Sequence, residues 1–337
     1  MNALEVTGLR VRYGEGADAL TAVDGVDLAV PKGGTLGLVG ESGCGKSTIA
    51  RALVGLVPVL GGKIRLDGKD CTPQRARDTA DYRRRVQIVF QDPYASLNPR
   101  MTVGQMIGEA LALRGLAAQN AEQRRKEGLQ IMELVGLSAS AFPRYPHQFS
   151  GGQRQRIAIA RALAVGPEVV ITDEVTSALD VSVQATILNL LKNLQKELGL
   201  SMLFISHDLS VVRLMSHRVA VMYLGRVVEQ AESDDLFSAP AHPYTKALMR
   251  SIPTFAAERR PAPLTGDVPD PRNPPRGCRF HTRCPVGPLA NPERTICVGQ
   301  DPNDIEVVND HHSACHFADT RPATLRRLTG ADAPALT

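Results

Sequence analysis

Gly40-Glu41-Ser42-Gly43-Cys44-Gly45-Lys46-Ser47-Thr48 fills the pattern G-x-x-x-x-G-K-[ST]. The residues before it, Thr35-Leu36-Gly37-Leu38-Val39, form a short apolar run of the kind expected for a buried parallel strand. After it, Thr48 to Leu56 puts Ile49, Leu53 and Leu56 on one helical face, until Pro58 and Gly61-Gly62 stop the pattern. In a strand–loop–helix unit of this order, successive backbone N–H groups curl toward β- and γ-phosphate oxygens. The positive end of the helix lies behind them. Lys46 then neutralises phosphate charge, and Ser47 offers its hydroxyl to Mg²⁺. Gly40, Ser42, Gly43, Cys44, Gly45, Lys46, Ser47 and Thr48 are therefore expected to bind a nucleoside triphosphate. Cys44, close to Lys46 and a helix N-terminus, is expected to favour the thiolate, and its alkylation to block nucleotide binding.

A partner for this loop lies downstream. Val169-Val170-Ile171-Thr172 is an apolar strand running into Asp173-Glu174. Two acids at a strand end would alone read as a solvated turn. Beside a phosphate loop they are placed for chemistry, with Asp173 holding Mg²⁺ and Glu174 polarising the attacking water as general base.

Outward from these motifs the chain reads as an α/β protein. LEVTGLRV and TAVDGVDLAV alternate apolar and polar near the start, and VQIVF (86–90), SMLFIS (201–206) and HRVAVMY (217–223) add strands. Between about 96 and 165 the texture is helical, including Ala121 to Val135, and a further helix is expected over about 182–197. Strand–helix alternation around an inserted helical block implies an α/β core with a helical subdomain. Prolines 253, 261, 263, 269, 271, 274 and 275 mark a linker over 251–275, followed by a small Cys/His-bearing unit over 276–337.

With 337 residues the chain suits about two domains, and 43% hydrophobic with 22% charged residues excludes a disordered or fibrous chain. The formal charge of +4 is too small to point to a nucleic-acid partner. No apolar run approaches the ~18 residues of a spanning helix, and MNALEVTGLRVRYG lacks the layout of a signal peptide, so a cytoplasmic chain is expected.

Phe149-Ser150-Gly151-Gly152-Gln153-Arg154-Gln155-Arg156 opens a helix shortly before the acid-tipped strand. Ser150 is a good N-cap, and the two glycines leave N–H groups uncovered, which makes a second anion-binding helix terminus. This octet resembles the [LF]-S-G-G-Q signature of the ATP-binding-cassette (ABC) ATPases. The resemblance covers residues 4 to about 250. It implies a P-loop NTPase (RecA-like) core with an N-terminal antiparallel β portion and a helical signature subdomain over about 96–165, all within 1–250. It also implies ATP and Mg²⁺ as ligands. Two cassettes would pair head to tail, so that Ser150, Gly151, Gly152 and Gln153 complete the ATP site of the partner. Tyr13 matches the aromatic residue that stacks on adenine, Gln91 the Q-loop residue sensing Mg²⁺ and the γ-phosphate, Asp180 in Ser177-Ala178-Leu179-Asp180 the D-loop, and His207 the switch histidine. Phe149, Thr172 and Val175 depart from the commoner residues without removing a catalytic side chain.

Only about a hundred residues separate Lys46 from Ser150, without sustained heptads, and there is one cassette in the chain. That sets the chain apart from the family's DNA-maintenance and translation-control members, the alternative reading. It resembles the ATPase subunit of an importer. Phe90-Gln91-Asp92-Pro93-Tyr94-Ala95-Ser96-Leu97-Asn98-Pro99, Val181-Ser182-Val183-Gln184 after the D-loop, and His242-Pro243-Tyr244-Thr245 are similar to the dipeptide/oligopeptide/nickel branch. The resemblance implies peptides as solute, ahead of nickel or glutathione-like compounds. It implies as partners two transmembrane permease subunits, a second ATPase subunit (a copy or a paralogue) and an extracytoplasmic solute-binding protein, with this subunit peripheral on the cytoplasmic face of the membrane. His-Pro-Tyr also suits a plain turn.

Cys278, Cys284, Cys297 and Cys315 supply four soft ligands in a region too polar and Pro-rich to make its own core. Four thiolates fit tetrahedral zinc or an iron–sulfur cluster, and His281, His311, His312 and His316 leave a Cys3His zinc site or no metal open. Cys284-Pro285 is similar to the Cys-Pro of ferredoxin-like sites, and some members of the peptide-importer branch carry a [4Fe-4S] cluster in such a tail.

Overall fold

The chain runs in order through β1 (Asn2–Tyr13), β2 (Leu20–Pro31), β3 (Thr35–Val39), α1 (Lys46–Leu53), β4 (Gly61–Leu66), β5 (Lys69–Asp70), α2 (Thr79–Arg85) and β6 (Val86–Val89). Helices α3 (Pro93–Ser96), α4 (Val103–Leu113), α5 (Ala121–Leu134) and α6 (Gly151–Ala164) follow. Alternation then resumes with β7 (Val169–Asp173), α7 (Val181–Leu198), β8 (Ser201–Ile205), α8 (Leu209–Met215), β9 (Arg218–Tyr223), β10 (Arg226–Glu232), α9 (Ser233–Ser238) and α10 (Pro243–Arg250). The tail adds α11 (Ile296–Gly299), β11 (Ile305–Val308) and β12 (His311–Ser313). This computed structural model describes residues 1–16, 19–72, 79–114, 120–177, 179–250, 264, 266–302, 305–308 and 310–318. Most of the Pro-rich stretch, 251–263 and 265, and the end of the tail, 319–337, lie outside the described residues.

Two sheets result. An antiparallel sheet has the order β2-β1-β4-β5, and a larger one the order β11-β12-β10-β9-β3-β8-β7-β6, parallel from β9 to β6. The central parallel strands are buried on both faces, which explains why TLGLV and VVITD read as unbroken runs. Their side chains divide by parity. Val169, Ile171, Leu203, Ile205, Ala220 and Met222 pack with α1 and the antiparallel sheet, whereas Val170, Met202, Phe204, Val219 and Val221 face the core shared with α4, α6 and α7. The helical block expected from sequence is present: α4 buries Val103, Met106, Ile107, Ala110 and Leu111, and its start is fixed by a Thr102–Gln105 capping box.

The tail draws its core from the cassette. β12 pairs antiparallel with β10, Glu229 opposite Ser313 and Gln230 opposite His312. Cys278, Phe280, Cys284 and Cys297 join the same apolar cluster as the signature helix. Phe280 stands edge-on to Tyr223 and Tyr244, with ring centroids 5.3 Å apart in both pairs. The tail, too polar to make a core of its own, thus shares that of the cassette.

His242-Pro243-Tyr244 opens α10 and is a buried staple, more than a turn. Glu229, on β10, accepts hydrogen bonds from the His242 amide at 2.9 Å and pairs with His311 Nε2 of β12 at 2.7 Å. Burial alone pushes the Glu229 carboxyl up, but these partners hold it below the usual carboxylate range. Burial pushes His242 down to about 4, so its ring is neutral and Nδ1 accepts from the Tyr244 amide at 3.1 Å.

Candidate functional site

β3 ends at Val39 in the middle of the large sheet, which leaves residues 40–45 at its carboxyl edge and lets α1 begin at Lys46. Two glycines here permit close approach. A Cβ at Gly40 would lie 2.2 Å from the Met222 carbonyl oxygen, and one at Gly45, with φ +110°, 2.4 Å from that of Ala22. Lys46 is 4% exposed, and its Nζ donates to the Gly40 and Glu41 carbonyls at 2.8 and 3.1 Å. The same ammonium lies 4.0 Å from Glu174 Oε1.

Ser47 Oγ donates to Asp173 Oδ1 at 2.9 Å, so the two residues expected to hold Mg²⁺ are side by side. Burial, reinforced by Glu174, raises the Asp173 carboxyl above its ordinary value in spite of the Ser47 hydrogen bond. A divalent cation at this point would reverse that effect. Glu174 adopts φ +49°, a left-handed conformation costly for a residue with a Cβ, and its amide donates to the Ile205 carbonyl at 3.0 Å. That conformation aims its carboxylate between Lys46 and His207, whose Nδ1 lies 3.3 Å from Glu174 Oε2. Gln91 Nε2 donates to Ser177 Oγ at 3.0 Å, and Ser177 Oγ donates to the Glu174 carbonyl at 3.0 Å. Tyr13, half-buried at the end of β1, is 3.4 Å from Thr48 Oγ1 through its hydroxyl. The fold thus brings residues spread from Gly40 to His207 to the carboxyl edge of the large sheet, with Tyr13 of the antiparallel sheet against α1.

Cys44 differs from its sequence reading. It is 4% exposed, and burial pushes its thiol up although Lys46 Nζ is 3.9 Å from the sulfur. The lysine favours thiolate, but desolvation outweighs it.

The signature stands elsewhere. Ser150 caps α6 by accepting from the Gln153 amide at 3.4 Å, while Gln153 Oε1 accepts from the Ser150 amide at 3.1 Å. Gly152 must be small because a Cβ there would meet Val183 Cγ1 at 2.4 Å. Asp180 caps α7 by accepting from the Val183 amide at 2.9 Å, so signature and D-loop are neighbours; Ala178 is outside the described residues. Among the described residues no hydrogen bond joins 150–153 to 40–48 within the chain.

Sequence reading missed Ser177 as the bridge between Gln91 and Glu174. It also missed Tyr244, whose hydroxyl accepts from the Glu41 amide at 3.0 Å. Each lay inside a motif already singled out, but which atom it would reach depends on the fold.

Known proteins resemble most of the chain. Residues 23–177 match the family described as ABC transporter, and residues 228–288 match that of the oligopeptide/dipeptide transporter C-terminal region. A protein of Brucella abortus named as a peptide import ATP-binding protein is 51% identical over 302 residues, covering 88% of this chain and 87% of the relative. One of the same designation in Brucella ovis is 46% identical over 314 residues, covering 93% and 96%. Among solved structures, cbiO1 of Clostridium perfringens, part of the ABC transporter complex cbiONQ, superimposes with a TM-score of 0.61 at 29% identity, covering 71% of this chain and 91% of that one. The ABC transporter cassette MJ0796, solved as a dimer, gives 0.62 at 29% identity over 68% and 98%, and its post-hydrolysis form bound to ADP and phosphate gives 0.60 at 28%. Phosphate loop, acid-tipped strand, signature and switch histidine on this fold, together with these likenesses, place the chain in the ABC transporter family, as an ATP-binding cassette.

Proposed function

We propose that this chain is the ATPase subunit of a peptide importer and works as one of two cassettes closing head to tail on two ATP molecules. The observation that carries the peptide reading is the C-terminal region of oligopeptide/dipeptide type fused to a complete cassette. The peptide-import names of relatives at 46–51% identity support it. No helix among the described residues is long and apolar enough to cross a membrane, which agrees with a peripheral subunit on the cytoplasmic face. Translocation would then belong to two permease subunits, supplied by a solute-binding protein.

In this mechanism the loop amides of 40–47 and Lys46 hold the triphosphate, and Tyr13 stacks on the adenine. Ser47, Asp173 and Gln91 would hold Mg²⁺, which would screen the phosphate charge. Glu174 takes the proton of the attacking water, and His207 contacts the γ-phosphate end. Ser150, Gly151, Gly152 and Gln153, with Asp180 beside them, act on the nucleotide held by the partner cassette. The separation of the signature from its own phosphate loop supports completion from another molecule. Reconstituted with its permease and solute-binding partners in vesicles, the subunit is expected to drive ATP-dependent uptake of di- and oligopeptides. Uptake of nickel or glutathione without peptides would overturn the peptide assignment.

We also infer that the four tail cysteines hold a [4Fe-4S] cluster and not the alternative, zinc. All four are buried, and burial raises every thiol, Cys278 to about 11 and Cys315 to about 12, with their neighbouring cysteines adding to both. Such thiols stay protonated unless a cationic centre compensates. Among the described residues no three His, Cys, Asp or Glu side chains converge to hold a single ion. A cluster asks less of them, since each thiolate meets its own iron. Anaerobically purified protein is expected to contain iron and acid-labile sulfide with visible absorbance. A featureless spectrum with no iron would remove the cluster.

A further inference from the structure

Two arginines lie between the first two tail cysteines, and one of them, Arg283, reaches back to the phosphate loop. Arg283, next to Cys284, forms a two-pronged ion pair with Glu41 of the phosphate loop: Nη1 to Oε2 at 2.8 Å and Nη2 to Oε1 at 3.1 Å. Its Nε donates to the Gly266 carbonyl at 3.1 Å, its Nη1 lies 3.4 Å from Tyr223 Oη, and the side chain is 6% exposed. A planar guanidinium held at three places by partners from three segments is a rigid device. Arg279, next to Cys278, hydrogen-bonds the Leu224 carbonyl and Asp24, and the adjoining Gly225 amide donates to the Cys44 carbonyl at 2.9 Å.

Glu41 is the residue on which this grip matters. Its carbonyl accepts from Lys46 Nζ and from the Cys44 amide, while its own amide donates to Tyr244 Oη. The main chain of Glu41 therefore helps set where the phosphate-binding lysine lies. Its side chain, however, places a negative charge in a loop built to receive a triphosphate, and that charge is felt at Cys44 inside the loop.

We propose that Arg283 is a positioning residue for ATP binding, neutralising Glu41 and fixing the phosphate loop from the Cys-bearing tail. The proposal rests on the reading of residues 40–48 as the ATP site. Without Arg283 the Glu41 carboxylate would both repel phosphate and release the loop. With Glu41 also neutral, the repulsion would vanish.

The test compares Arg283→Gln, Arg283→Lys, Arg283→Gln/Glu41→Gln and Lys46→Ala in the full chain, by titration with a fluorescent ATP analogue and by KM and kcat for ATP. Arg283→Gln is expected to weaken ATP binding about tenfold, equal to ~1.4 kcal/mol, and to raise KM with little change in kcat. Arg283→Lys, which keeps the charge without the fork, should fall between it and the parent. Adding Glu41→Gln to Arg283→Gln should restore affinity to within about threefold of the parent. A merely structural staple gives the opposite result, a double variant binding no better than the single one. Unchanged affinity in Arg283→Gln, or no recovery in the double variant, overturns the proposal. If Lys46→Ala binds ATP like the parent, the phosphate-loop reading itself fails and takes the proposal with it.

Discussion

Glu174→Gln is expected to lower ATP turnover by roughly 10² to 10⁴-fold while ATP is still bound, the range lost with a positioned general base. The carboxylate sits between Lys46, 4.0 Å from one oxygen, and His207, 3.3 Å from the other. Glutamine has the same shape and keeps hydrogen-bonding atoms toward both neighbours, but it cannot take a proton from water at neutral pH. In the proposed mechanism nucleotide binding rests on the loop amides and Lys46, so affinity should persist and paired, ATP-loaded cassettes should accumulate. Single-turnover hydrolysis, with chromatography of the ATP-loaded protein, checks both halves. Rapid turnover in this variant would show that another group takes the proton.

The second large effect is on binding. Lys46→Ala should weaken ATP affinity by about 10²-fold or more, ~3 kcal/mol, in the range for loss of a buried charge from a charged contact. Lys46 is 4% exposed and held by two loop carbonyls, so little else can move into its place. Its loss also leaves those carbonyls and the nearby Glu174 carboxylate without a cation when phosphate arrives. Equilibrium titration with ATP gives the answer, and an affinity equal to that of the parent would contradict the role assigned to Lys46. The two variants separate cleanly, one failing in chemistry and the other in binding.

The strand, loop and helix around Gly40–Thr48 were legible because each carries a local rule: an unbroken apolar run, glycines, then apolar residues at helical spacing. The local pattern gives β3 its observed limits and places β7, β8 and β9 to within a residue. It missed β4, because Gly61-Gly62 looks like the end of α1 and not the start of a strand. It missed β10 for a different reason. Arg226–Glu232 carries a buried carboxylate at Glu229, which is tolerable only through partners just before α10 and on β12 that no local pattern reveals. Long-range pairs set the same limit on the site. Ser47 meets Asp173 from 126 residues away, as the motif implied, but Arg283 meets Glu41 across 242 residues with no motif to announce it. Cys44 shows a local signal outweighed by the fold, since a nearby cation suggests thiolate while burial decides for thiol.

In the working assembly, two nucleotide sites are each expected to be built from two protein molecules. The most direct measurement is the structure of the ATP-loaded Glu174→Gln protein in its paired state. The predicted result is Ser150–Gln153 of one cassette lying against the γ-phosphate held by Gly40–Ser47 of its partner. Signature segments turned away from every bound triphosphate in that assembly would contradict it.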